Sequence, residues 1–143
     1  MSFSNLYQSG FKQRNRSHFA AIVHVAMTDD KITDQEQAFL NRLARSLEIE
    51  DEEYQRIVKN YKDYPINPPL TYNSRLERLY DLARMVYADD VLGEGQHELL
   101  GRLSVGLGFT PENIKYVVDK ALVLVDREVS LETFMDEMKH MNR

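Results

Sequence analysis

The amino-acid sequence predicts an all-α protein, a bundle of seven to eight helices with an internal two-fold repeat. Three observations carry that expectation. Apolar residues recur at helical spacing along most of the chain. No stretch alternates with the period of two that a half-buried strand requires. Part of the chain also repeats, without a gap, at an offset of 60 residues. Asp29-Asp30-Lys31-Ile32 returns as Asp89-Asp90-Val91-Leu92. Leu40, Arg42, Leu43, Leu47, Glu52 and Val58 return as Leu100, Arg102, Leu103, Leu107, Glu112 and Val118. A constant period names the supersecondary unit being copied, here helix, acidic turn, helix, short turn, helix. One copy is expected over about residues 18–60 and the other over about 78–120.

The elements follow in order. Phe3, Leu6, Tyr7 and Gly10 suggest a short leading helix. Phe19, Ile22, Val23 and Ala26 then stand at i, i+3, i+4 and i+7, the spacing of one helix face. Leu40, Leu43, Ala44 and Leu47 repeat that stripe, as do Tyr54, Ile57, Val58 and Tyr61. Thr33-Asp34-Gln35-Glu36 reads as a capping box, and Asp51, Glu52 and Glu53 crowd a first turn where a helix favours carboxylates. A connector over 63–73 holds Pro65, Pro68 and Pro69, which forbid helix and favour an extended, stiff segment. Its neighbours Tyr61, Tyr64 and Tyr72 are expected to pack it onto the bundle.

Beyond the connector, Leu76, Leu79, Tyr80 and Ala83 form a stripe opened by a second expected capping box, Ser74 to Glu77. Leu100, Leu103, Ser104 and Leu107 follow, then Ile114, Val117, Val118 and Ala121 behind Thr110-Pro111-Glu112. Ala121-Leu122-Val123-Leu124-Val125 is apolar on every side, so the helix over about 112–127 is expected to run through the bundle centre. Ser130 caps a terminal helix over about 130–141, where Met135, Met138 and Met141 read as core filler.

Composition sets outer limits. A chain of 143 residues fits one domain, and 43% hydrophobic with 29% charged residues is an ordinary globular balance. Without cysteine there are no disulfides, thiolate metal sites or cysteine nucleophiles. No apolar run approaches the roughly 20 residues that span a bilayer, and the start lacks a signal-peptide pattern; a cytoplasmic protein is expected. The net charge of -5 disfavours nucleic acid as a partner. Lys12, Arg14 and Arg16 are the exception, because no Asp or Glu precedes residue 29. They form either a solvated helix end or a peripheral contact for an anionic partner.

The two acidic turns are the candidate site. Asp29, Asp30, Asp34 and Glu36 in the first, with Asp89, Asp90, Glu94 and Glu98 in the second, are oxygen ligands of the kind calcium or magnesium takes. Neither turn meets the strict calcium-loop pattern. The same aspartates can instead accept amide hydrogen bonds within their own turns while Glu36 completes a cap. His18, His24, His97 and His140 are scattered and make no zinc pattern. No Ser-His-Asp order or metal triad stands out, so no catalytic or cofactor-binding residue is assigned and an enzyme, such as a hydrolase, ranks last.

These residues carry a resemblance. The acidic turns 29–36 and 89–96, with Leu47-Glu48-Ile49 and Leu107-Gly108-Phe109 before the next helices, resemble the duplicated turns of the TerB-like (tellurite-resistance TerB) family. The resemblance covers about residues 18–120. It implies an all-helical bundle with internal pseudo-twofold symmetry, no enzymatic activity, a link to tellurite resistance and general stress responses, and an acidic cluster holding a divalent cation. Where the family has Asp-Gly this chain has Asp-Asp, at Asp30 and at Asp90, and the family's helix-opening Glu is kept at Glu36 but replaced by Gln96. On this footing the expected function is a non-enzymatic interaction module that binds a protein partner or itself. The alternative is a dedicated divalent-cation-binding protein.

Overall fold

The computed structural model describes residues 9–28, 33–89, 93 and 95–140. Among them the chain forms seven α-helices and no strand: α1 (Ser9–Thr28), α2 (Asp34–Ser46), α3 (Asp51–Lys59), α4 (Tyr72–Ala88), α5 (Gly95–Gly106), α6 (Ile114–Asp126) and α7 (Leu131–Lys139). Two 3₁₀ turns, Tyr61–Asp63 and Pro111–Asn113, precede the connector and α6. The proposed leading helix over Phe3, Leu6 and Tyr7 and the position of Met141 lie outside the described residues.

Every striped position from Phe19 onward that is described is buried or half-buried, and the stripes meet in one core. Burial of these side chains is the main favourable term, roughly 1.5–3 kcal/mol for each large apolar residue. The centre, however, belongs to α4 rather than α6. Helix α4 packs against α1, α5, α6 and α7, and it buries residues on several sides, including Arg78 and Asp81. The apolar run of α6 does cover α4, α5 and α7, but Val123 is 44% exposed. An all-apolar stretch therefore lies with one edge in water, because the helices it meets occupy only part of its circumference.

Local chemistry explains the helix ends. Thr33 has the expected box: its Oγ1 accepts from the Glu36 amide at 3.0 Å, and its own amide donates to Glu36 Oε1 at 2.8 Å. Ser130 Oγ accepts from the Thr133 amide at 3.2 Å and opens α7. The second expected box is displaced. Helix α4 begins at Tyr72, three residues after Pro69, and Thr71 Oγ1 takes the Ser74 amide at 3.0 Å, which makes Ser74 the capped residue rather than the cap. Thr110 precedes a 3₁₀ turn without a side-chain cap, so α6 proper starts only at Ile114.

Helices α2, α5 and α6 end in the same way. At Leu47-Glu48-Ile49 the Ile49 amide donates to Ala44 O at 2.9 Å and the Glu48 amide to Arg45 O at 3.1 Å. At Leu107-Gly108-Phe109 the matching donors reach Ser104 O at 3.1 Å and Val105 O at 2.9 Å. Arg127-Glu128-Val129 repeats this pattern after α6. This is the Schellman arrangement, which needs a left-handed residue. Gly108 meets that need with φ 105°, whereas Glu48 (61°) and Glu128 (58°) adopt it despite a Cβ.

Candidate functional site

Three of the described acidic groups, Glu36, Asp89 and Glu98, are met by arginines. Glu36 is fully buried, and while its Oε1 serves the Thr33 cap its Oε2 accepts from Arg102 Nη2 at 2.6 Å. Arg102 Nη1 also reaches Glu98 Oε1 at 3.4 Å. On the other side Asp89, the C-cap of α4, takes a two-pronged bond from Arg42: Nε to Oδ2 at 2.7 Å and Nη2 to Oδ1 at 2.8 Å. Parallel bonds of this kind are strong because both partners are ionised and their planes match. The pairs cross: Arg42 of α2 reaches the end of α4, and Arg102 of α5 reaches the start of α2.

The expected ligands are thus distributed unevenly. Asp34 is exposed in the first turn of α2, and Glu98 is exposed on α5. Glu36 and Asp89 are drawn inward by their arginines, while Asp29, Asp30, Asp90 and Glu94 lie outside the described residues. Among the described residues no group of three or more histidine, aspartate or glutamate side chains is placed to hold a metal ion. Gln96, standing where the first half has Glu36, donates from Nε2 to the carbonyls of Tyr87 and Asp89, each at 3.2 Å.

Reading the carboxylates alone missed Arg42 and Arg102. The signal was present, since both arginines recur at the same offset inside an apolar stripe, where a lone charge needs a partner. Arg16 likewise has an internal role. Its Nη1 donates to the carbonyls of Leu47 at 3.0 Å and Glu48 at 2.8 Å, and Nη2 lies 3.9 Å from Glu53. It therefore caps the C-terminus of α2, where a cation suits the helix dipole, while its side chain stays half exposed. The side chains of Lys12 and Arg14 are outside the described residues.

The histidines also have local partners. His24 Nδ1 bonds the Tyr64 carbonyl, and its ring meets Tyr61 edge-on at 5.7 Å, so the start of the connector is tied to α1. His97 pairs with Asp119 at 3.5 Å, and His140 Nδ1 meets Asp136 O at 2.6 Å. Burial, helped by the Arg78 guanidinium, holds the His18 imidazole below its usual pKa. Just beyond it Asn15 Nδ2 donates to buried Asp81 at 3.4 Å, which places a polar seam between α1 and α4.

A cleft of about 410 Å³ opens beside the Arg102 pair. Val25 and Thr28 of α1, Val105 and Gly106 of α5, and Ile66 and Pro68 of the connector form its walls, with Arg102 at one edge. A tighter pocket under the connector shares Val25, Ile66 and Gly106 and reaches His18 and Arg78. The close approach of α1 to α5 requires Gly106, because a Cβ there would lie 2.4 Å from a Val25 methyl. Among the described residues no helix is long and apolar enough to cross a membrane.

Set beside family models, curated proteins and solved structures, the chain shows no significant match to any of them. Fold and site thus define an all-helical protein with a crossed arginine–carboxylate clamp.

Proposed function

We propose that the chain is a non-enzymatic interaction module of the TerB-like kind, built from a duplicated three-helix unit and acting in a stress or tellurite-resistance pathway. One observation carries the reading. The carboxylates at the helix openings are tied to arginines of the opposite half, at 2.6 Å for Arg102–Glu36 and 2.7 Å for Arg42–Asp89, instead of converging on a reacting centre. The duplication rests on the 60-residue offset of Leu40, Arg42, Leu43 and Leu47 with Leu100, Arg102, Leu103 and Leu107. Deleting the gene in the source organism and measuring growth under tellurite and oxidative stress tests the pathway, and unchanged growth would remove it.

The same site frames the cation reading. A calcium or magnesium ion centred on Asp29, Asp30, Asp34 and Glu36 would compete with Arg102 for Glu36, so binding is expected to be weak. Calorimetry at millimolar calcium and magnesium decides this. A heat of binding and a raised melting temperature, both reduced by Asp29→Asn, would make the module cation-responsive; the absence of both would leave the turns as structure.

A further inference from the structure

We infer that Leu70 of one copy of this chain fills the cleft between α1, α5 and the connector of a second copy, and that the exchange is mutual. This deepens the interaction-module reading and rests on it, since it names the partner and the surface.

Leu70 is the least covered large apolar side chain among the described residues, 98% exposed. An isolated surface leucine is ordinary, but this one does not stand alone. Among the described residues seven large hydrophobic side chains are exposed. Four of them, Ile66, Leu70, Tyr72 and Val105, belong to the connector, to its junction with α4 or to the cleft wall. Residues 64–74 carry no charged side chain, in a chain that is 29% charged, and Arg102 is the only charged residue lining the cleft. A fitting partner therefore presents an apolar anchor without charge. A second copy does so. Two molecules of net charge -5 repel one another, and an uncharged patch is where they meet at least cost, as the charge-depleted centres of protein interfaces do.

Anchor and recess also lie side by side. Ile66 and Pro68 form the connector's part of the cleft wall, and Leu70 follows two residues after Pro68, about 6 Å along an extended chain. At its exposure Leu70 does not occupy the cleft of its own molecule. When anchor and recess share one patch, a two-fold axis lets each copy give and receive the same contact, and the assembly closes as a dimer. The anchor is held ready for this. His24 bonds the Tyr64 carbonyl at one end of the connector, and Tyr72 meets the Phe109 ring edge-on at 6.4 Å at the other. Pro68 and Pro69 fix the backbone between them, so little conformational freedom is lost on association.

Sedimentation of the full chain from micromolar to millimolar concentration, with NMR spectra over the same range, tests this. A monomer–dimer equilibrium is expected, and the signals that move with concentration should be those of Ile66, Leu70 and Val105. Leu70→Asp alters an almost fully exposed side chain, so the melting temperature should hold while association weakens about a hundredfold or more, two anchors being lost per dimer. Val105→Lys, at a 45% exposed position, should weaken it about tenfold. Mixing the two variants should restore association. Each mixed pair keeps one intact anchor and cleft, and sets the new carboxylate beside the new ammonium at the other. A dimer indifferent to Leu70→Asp, shifts confined to another face, or a mixture no tighter than either variant alone overturns the inference. So does a chain that stays monomeric at millimolar concentration, which leaves the cleft to a different occupant. If gene deletion alters growth under stress while the chain stays monomeric, only this surface assignment falls. If the chain dimerises and growth is unchanged, the pathway falls and the contact stands.

Discussion

The openings of α2 and α5 stand 60 residues apart at matching sequence positions yet balance their charge differently. At α2 a glutamate on the helix, Glu36, closes the cap with one oxygen and takes Arg102 with the other. At α5 the matching residue is Gln96, which has no charge to offer Arg42 and donates instead to two carbonyls of the preceding segment. Arg42 turns to Asp89 on the other side of the turn. One opening thus has its ion pair on the helix itself and the other has it at the residue that ends the preceding helix. A partly buried arginine is compensated from whichever carboxylate geometry brings within reach.

The sharpest break of this comparison is Glu36→Ala. Glu36 is fully buried and the Arg102 side chain is 14% exposed, so removal leaves Arg102 only the longer contact to exposed Glu98, deprives the Thr33 amide of its acceptor, and should lower stability by about 3–5 kcal/mol in chemical denaturation. Asp89→Ala should cost less, about 1–3 kcal/mol, because a 34%-exposed Arg42 can turn to water. Equal losses would show that the two openings are equivalent after all.

Contrasting α4 with α6 gives the next effect. Leu79→Ala on α4, where the side chain is inaccessible, should cost about 2–5 kcal/mol, and Leu79→Asp should abolish folding. Val123→Asp on α6 should fold, its position being 44% exposed. A protein that unfolds with Val123→Asp but tolerates Leu79→Asp would return the centre to α6.

A smaller effect separates the ends of α2 and α5. Glu48→Gly should stabilise by about 0.5–1 kcal/mol, relieving a left-handed residue while the carbonyl that Arg16 grips remains. Gly108→Ala should destabilise by about 1–2 kcal/mol, with its new Cβ 3.1 Å from Arg75 Nε adding to the strain. Thermal melts of both variants measure the difference, and a loss with Glu48→Gly would show that the glutamate side chain contributes more than its backbone strain.

The smallest effect concerns His18. Its depressed pKa means the folded state favours the neutral ring, mainly through burial and then through Arg78. The associated stability is present above the unfolded value of 6.5 and is lost as pH falls from there through the folded pKa. His18→Gln should flatten the stability profile in that window and leave it unchanged at higher pH.

Much of the local structure was legible from the sequence because a helix is an i-to-i+4 object. The stripes at Phe19–Ala26 and Leu40–Leu47, the Thr33 box and the Ser130 cap each involve residues within a turn or two of one another. Propensity and capping therefore act before any tertiary contact exists. The displaced start of α4 marks the limit of such rules, since Thr71 and Ser74 are both good caps and the proline-bearing connector selects the earlier one.

The site was decided by the tertiary structure. Arg42 meets Asp89 across 47 positions, and Arg102 meets Glu36 across 66. Periodicity says which face of a helix is buried and is silent about its neighbour. The same silence hid the capping role of Arg16, the central place of α4 and the cleft beside Gly106. Those features depend on how whole helices dock, which is set by packing shape and charge compensation summed over the assembled core.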